Sequence, residues 1–455
     1  MRRLIYIFLA VSAFTACEKK LDIDPNQSIS QENALLTEGD VKVTLIGAYD
    51  GLQSTTQYGG DINTISTLIG NTEDIRFTGT FAGLADIHKL EITAPNLYAT
   101  TTWAGAYNTI NRVNNVLSAL DKVTSSQEER DRIEGEARFI RGSLYFELVK
   151  LYAKTWGNGD NGTNPGVPLV LTPTTAITPE SYLSRSSVAA VYTQIIDDLT
   201  TAENLLPETN GIFAAKGAAA AMLSRVALMQ GDYPTARDAA NRVIESGVYD
   251  LEESIEDLWF TFINNGGANP GEYIFSMTVT QQDGVNNMNT FFGINTSAVP
   301  GSAGRGDIKI LPAHLDKYEE GDKRGEFFQP VGNNLYTRKH LDRLGNVLVV
   351  RLGEMYLTRA EANFREGTEV GATPLKDVNT IRERAGLSPL GAVTLAIILK
   401  ERYLELAFEG QGLHDAKRTR SAWSGTPWDS PLLILPIPQR EMDVNENLVQ
   451  NEAYL

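Results

Sequence analysis

The chain has 455 residues, with 57 acidic side chains against 40 basic ones and a formal charge of −17. A surface of that sign repels nucleic acid and anionic lipid headgroups, which excludes both as partners. The single cysteine rules out a disulfide framework, and a chain this long can bury a sufficient core without one.

In chain order, residues 1–16 read as a secretory leader, with Arg2-Arg3 before an apolar stretch of about eleven residues, Leu4 to Phe14. That stretch is shorter than the roughly 20 apolar residues a membrane span needs, and no later run is long enough either. Phe14-Thr15-Ala16-Cys17 resembles a lipobox, which makes Cys17 the lipid attachment point. Two or more acyl chains anchor a protein stably, so the mature chain is expected on a membrane surface through its lipid alone. Loss of Arg2 and Arg3 with the leader takes the charge from −17 to −19. Residues 17–30 are polar and charged and serve as a tether. Residues 31–455 form one domain, with an N-terminal part over about 31–250 and a C-terminal part over about 251–455.

The dominant period of that domain is helical. Ile133 to Tyr152 places apolar residues at three-to-four spacing and predicts an amphipathic helix. Residues 214–247 predict two antiparallel helices broken at Gly231-Asp232-Tyr233-Pro234, close-packed through Ala220, Ser224 and Ala227 against Ala236 and Ala240, as in a tetratricopeptide repeat. A related pair covers Arg351–Arg365 and Leu375–Arg384, and a last helix runs from Leu395 to Phe408 with Gly410 as its cap. The expected fold is all-α: tetratricopeptide-like hairpins in an α/α superhelical scaffold, with little β. Long segments at about 54–105, 155–185 and 262–346 read as loop-rich insertions, and loops of that length usually carry function.

Enzymatic signatures are weak. Glu401, Glu405 and Glu409 share a helical stripe, but solvated or ion-paired stripes are far commoner than catalytic pairs. Gly157, Gly159 and Gly162 spell GxGxxG without the strand before and helix after that a dinucleotide site requires. Asn158, Asp160, Asn161 and Asn164 offer Ca²⁺-type oxygens without the spacing of a calcium-binding hand, so a turn is the better reading. Arg305-Gly306-Asp307 reads as chance in a Gly-rich loop, and His88, His314, His340 and His414 are too scattered for zinc. No enzyme activity, metal or cofactor is expected.

The order of motifs resembles the SusD/RagB family of Bacteroidetes outer-membrane nutrient-uptake lipoproteins. It is carried by Leu21-Asp22-Ile23-Asp24-Pro25, by Trp103, Tyr107, Asn111 and Asn114-Asn115, and by Glu136-Ala137-Arg138-Phe139-Ile140-Arg141. Val167-Pro168-Leu169-Val170 is similar to the strand that follows in the family. Further matches are Arg351-Leu352-Gly353-Glu354-Met355-Tyr356-Leu357, Arg384-Ala385-Gly386-Leu387, Glu405-Leu406-Ala407-Phe408-Glu409-Gly410 and Leu435-Pro436-Ile437-Pro438. The resemblance implies a cell-surface protein at the outer membrane that binds an oligosaccharide and delivers it to a SusC-like TonB-dependent transporter. A RagB-like peptide receptor, or a transporter lid with little cargo contact, is the alternative. It also implies that ligand-facing groups come from loops of the N-terminal half. Sugars want aromatic faces beside amide, carboxylate or guanidinium groups, which there are Tyr58, Asp74, Arg76, Phe77, Phe81, Asn96, Tyr98 and Trp103. Trp259, Phe260, Phe291-Phe292 and Tyr336 in the later loops have weaker claims.

Overall fold

The computed structural model describes residues 35–264, 269–282, 284–296 and 302–455, so the leader, Cys17 and the tether lie outside the described residues. Helix α1 (Glu38–Gln53) starts at Thr37, whose hydroxyl and the Asp40 carboxylate form a capping box. Then come α2 (Asp61–Leu68), strand β1 (Ile75–Phe77), α3 (Ala82–Lys89) and α4 (Leu97–Ser118). Helix α5 (Gln127–Tyr152) begins six residues before the expected Ile133, because the Ser126 hydroxyl accepts the Glu129 N–H at 3.1 Å and caps a polar first turn.

Helices α6 (Val188–Leu205), α7 (Lys216–Gln230) and α8 (Tyr233–Glu245) continue the stack. The α7–α8 hairpin closes as its small residues predict: Ala218 to Ala221, Ser224, Ala236 and Ala240 are buried, and the Ser224 hydroxyl donates to the Ala236 carbonyl at 3.0 Å. After α9 (Ile255–Asn264), strand β2 (Tyr273–Met277), α10 (Asn287–Phe292) and β3 (Ile308–Ile310) come β4 (Phe328–Val331), β5 (Asn334–Thr337) and β6 (Val347–Arg351). Helices α11 (Leu352–Glu366), α12 (Pro374–Arg384), α13 (Leu395–Glu405) and α14 (Gly412–Arg418) complete the scaffold. Packing runs from α1 through α4, α5, α6, α7 and α8 to α11, which carries α12 and α13. That is a stack of antiparallel hairpins, as expected. Two small antiparallel sheets sit beside it, one in the order β1-β3-β5-β4 and one pairing β2 with β6.

Three expectations need correction. The segments 54–105 and 262–346 hold short helices and strands as well as loops, because elements of three to eight residues fall below the window in which periodicity is legible. Val167–Val170 joins no ladder; the hydroxyls of Tyr107 and Tyr145 and the amide of Asn114 take the carbonyls of Pro168 and Val170 at 2.8 Å instead. Helix α13 stops at Glu405 rather than Phe408, since Arg351 Nη2 and Lys339 Nζ capture the Glu405 carbonyl at 2.8 and 2.9 Å. Gly410, at φ 80°, is therefore no cap; a side chain there would meet Asn63 Oδ1 at 2.9 Å.

The glutamate stripe is ion-paired, with Glu401 and Glu405 buried. Glu405 faces the guanidiniums of Arg351 and Arg384, Glu401 those of Arg382 and Arg324, and Glu409 the Arg351 guanidinium and the Lys339 ammonium. Glu272, just before β2, accepts from Arg351 at 2.8 Å and from Arg384. Burial alone would raise the Glu405 carboxyl, and the cations of Arg384, Arg351 and Arg324 outweigh it and hold it well below the usual range. Arg351→Met removes the one cation that Glu272, Glu405 and Glu409 share and leaves their interior charge undercompensated. Breaking such a pair costs about 3–5 kcal/mol, so urea denaturation of this variant should show a loss of that size or no folded protein.

Candidate functional site

Strand β1 pairs with β3 in register Ile75 with Ile310 and Phe77 with Ile308. Beyond it the Thr78 N–H donates to the Asp307 carbonyl at 2.7 Å. This pairing carries Thr78 to Phe81 against Arg305-Gly306-Asp307, more than two hundred residues away in sequence. The third wall is α10, held to the start of α2 because the Asn287 N–H donates to the Gly59 carbonyl at 2.8 Å. Gly306 turns the chain at φ 63°, where a Cβ would come within 2.9 Å of both Ile294 and Tyr336.

Phe81, 37% exposed, stands at the centre. Its ring meets Phe291 edge-on at 5.5 Å, and the Arg305 guanidinium lies 4.9 Å from its centroid. Arg305 is held in turn, its Nε donating to Asp307 Oδ2 at 2.8 Å and its Nη2 to the Thr80 hydroxyl at 3.1 Å. Tyr98 closes the cluster, 6.5 Å from Phe291. Burial, then the charges of Asp61 and Asp307, push the Tyr98 phenol upward, so it stays neutral and donor-capable. The result is a water-facing aromatic ring flanked by a fixed guanidinium, a fixed carboxylate and a phenol.

Of the residues expected to bind ligand, the structure brings Phe81 and Tyr98 into this cluster. Phe77 is half-buried against the core beneath it, and Arg76 is exposed on β1 opposite Lys309. Tyr58, Asn96 and Trp103 are corrected, and Asp74 lies outside this cluster. Tyr58 is 2% exposed, its hydroxyl donating to Glu147 at 3.0 Å inside the scaffold. Asp74 is buried and bound by Lys317 and Tyr403. Asn96 caps α4, accepting the Tyr98 and Ala99 N–H groups at 3.0 and 3.2 Å. Trp103 packs between Tyr107 and Tyr152 at 4.9 and 5.0 Å. Of the later-loop aromatics, Phe291 joins the site; Phe292, Trp259, Phe260 and Tyr336 are buried. Arg305 was missed, since its tripeptide reads as chance in a Gly-rich loop. The oxygens around Asp160 are taken up within their own turn, Asp160 Oδ1 accepting the Gly162 N–H and Asn161 Oδ1 the Gly157 N–H, both at 2.9 Å.

Comparison with known proteins gives a consistent result. A family model described as starch-binding associating with outer membrane, of SusD-like type, matches residues 18–228, and the SusD family model matches 334–430. SusD-like protein P2 of Formosa agariphila is 23% identical over 95% of both chains. A Bacteroides vulgatus ATCC 8482 protein of known crystal structure is 26% identical, with a TM-score of 0.82 over 93% of this chain and 100% of its own. A laminarin binding SusD-like protein is also 26% identical, with a TM-score of 0.76 over 92% of this chain and 100% of its own.

Asp61, beside Tyr98, yields a pH test. Burial pushes its carboxyl up to about 7, countered in part by the Asn287 amide that donates to it at 2.7 Å. A carboxyl raised in the folded state binds its proton more tightly there than when unfolded. The protein therefore loses stability as pH rises from about 4 through 7. Asp61→Asn keeps the Asn287 bond and removes the penalty. Its melting-temperature gain over the parent should be near zero at pH 4, grow to pH 7 and level off above.

Proposed function

We propose, on the ground that the chain belongs to the SusD/RagB family, that it is a cell-surface lipoprotein that captures an oligosaccharide. It then delivers the glycan to a SusC-like TonB-dependent outer-membrane transporter. The observation that carries this reading is the exposed Phe81 ring with Arg305 fixed against it. A pyranose has an apolar face that lies on an aromatic ring and hydroxyl edges that accept from a guanidinium and donate to a carboxylate. Binding without turnover agrees with the state of the Glu401, Glu405 and Glu409 stripe, whose carboxylates are spent on buried cations. Residues 1–16 are the leader in this reading, and 17–30 tether the domain from acylated Cys17. An apolar surface of Tyr182, Leu183, Val444 and Val449 supports protein docking. Its two segments are tied together by Asn445 and Asn447 amides donating to the Leu183 and Tyr182 carbonyls at 2.9 and 2.7 Å.

Calorimetry of the mature chain against laminarin, starch oligosaccharides and other glycans, with mixed oligopeptides alongside, tests the cargo. Binding of a glycan class supports capture; binding of peptides alone replaces it with a peptide receptor. Phe81→Ala and Arg305→Ala should each weaken glycan binding by about tenfold or more, with the melting temperature nearly unchanged, because both side chains face water. Cys17→Ser should move the protein from the membrane fraction to the soluble fraction on cell fractionation.

A further inference from the structure

We propose a second binding site, for a single sugar ring, in a cleft between the start of β1 and helices α13 and α14. The cleft has a volume of about 220 Å³ and opens to solvent, and none of its lining residues belongs to the Phe81 cluster. It is smaller than the roughly 300–1,000 Å³ of pockets that take drug-sized molecules, so it accommodates one ring rather than a chain.

Its walls are those a sugar requires. Trp423 is 6% exposed, and its indole N–H donates to the Ile69 carbonyl at 2.8 Å, which fixes the ring plane. Tyr403 supplies a second aromatic surface, with the Lys317 ammonium 4.8 Å from its centroid. Asp74, 3% exposed, lines the same space and is gripped by Lys317 and the Tyr403 hydroxyl. An ionised carboxylate has about four acceptor positions, so it can still accept from a ligand hydroxyl. Ser421 and Ser424 line it too, the Ser424 hydroxyl accepting the Glu73 N–H and donating to Asn71 Oδ1, both at 3.3 Å. Buried aromatic surface, an oriented carboxylate with an ammonium beside it, and hydroxyls within one ring's volume make a site preorganised for a polyol. This assignment goes beyond the capture site and stands independently of it.

Calorimetry with D-glucose, D-galactose, D-mannose, D-xylose and D-glucosamine at millimolar concentration tests it on the mature chain. At least one ring should bind. Ala422→Tyr, at an exposed position on the cleft wall, should weaken that binding by about tenfold or more, and Tyr403→Phe should weaken it too. Arg305→Ala should leave it unchanged. Absence of binding by every ring, or loss in Arg305→Ala with normal binding in Ala422→Tyr, overturns the proposal. Retained oligosaccharide binding in either case leaves the Phe81 site standing.

Discussion

The interaction on which the rest of the structure depends is the buried pairing of Arg351 with Glu272, Glu405 and Glu409. Charges of both signs are taken out of water there, at a desolvation cost of several kcal/mol per ion, which only dense pairing and hydrogen bonding can offset. The arrangement meets that condition. Arg351 places its three nitrogens on two carboxylates, a third carboxylate and the Glu405 carbonyl, while Arg384 binds Glu272 and Glu405 together. One guanidinium at the junction of β6 and α11 thereby fixes the segment before β2, the end of α13 and the chain beyond it. Such a network specifies geometry: apolar side chains could fill the volume, but they would not dictate which three segments meet.

That geometry reaches the candidate capture site through a short series of packed groups. Glu409 binds Lys339 as well as Arg351, and the neighbouring His340 ring nitrogen lies 3.0 Å from the Phe408 carbonyl. The His340 ring packs on Phe292 at 5.3 Å, and its neighbour Phe291, also buried, meets Phe81 edge-on. The ion network thus sets the position of α10, and α10 sets one wall of the site. The other walls come from the β1–β3 ladder and the Gly306 turn, so Phe81 and Arg305 meet only when both halves of the chain are folded.

What was legible in the sequence follows the range of the interactions involved. The α7–α8 hairpin was readable because small residues at helical spacing and the Asp232 break act within about thirty residues. The start of α5 was misplaced, as Ser126 caps a first turn with no apolar period. The glutamate stripe was recognised, yet its burial was invisible, since its partners Arg351, Arg382 and Arg324 come from other elements. Tyr58, Asn96 and Trp103 have the composition of a sugar site and sit inside the scaffold, because hydroxyl, amide and aromatic groups serve buried hydrogen bonding and packing as well as ligands. Arg305 could not be linked to Phe81 from spacing, for their meeting depends on one antiparallel register between strands of three residues each.

The two aromatic sites differ in how their rings are held, and this bears on what each can do. Phe81 is fixed by ring-edge and cation contacts at the surface and leaves a face open to water, which suits a platform that a long glycan lies across and leaves. Trp423 is fixed by a buried hydrogen bond and shows the cleft little of its surface, which suits a ring inserted end-on. In both, the charged neighbour is already committed to a protein partner, Arg305 to Asp307 and Lys317 to Asp74. A guanidinium or ammonium oriented in advance loses little rotamer freedom when a ligand arrives, and the partner carboxylate moderates its charge. Neutral hydroxyl-rich ligands profit most from that compromise, because they need directed hydrogen bonds and offer no charge to repay a bare cation.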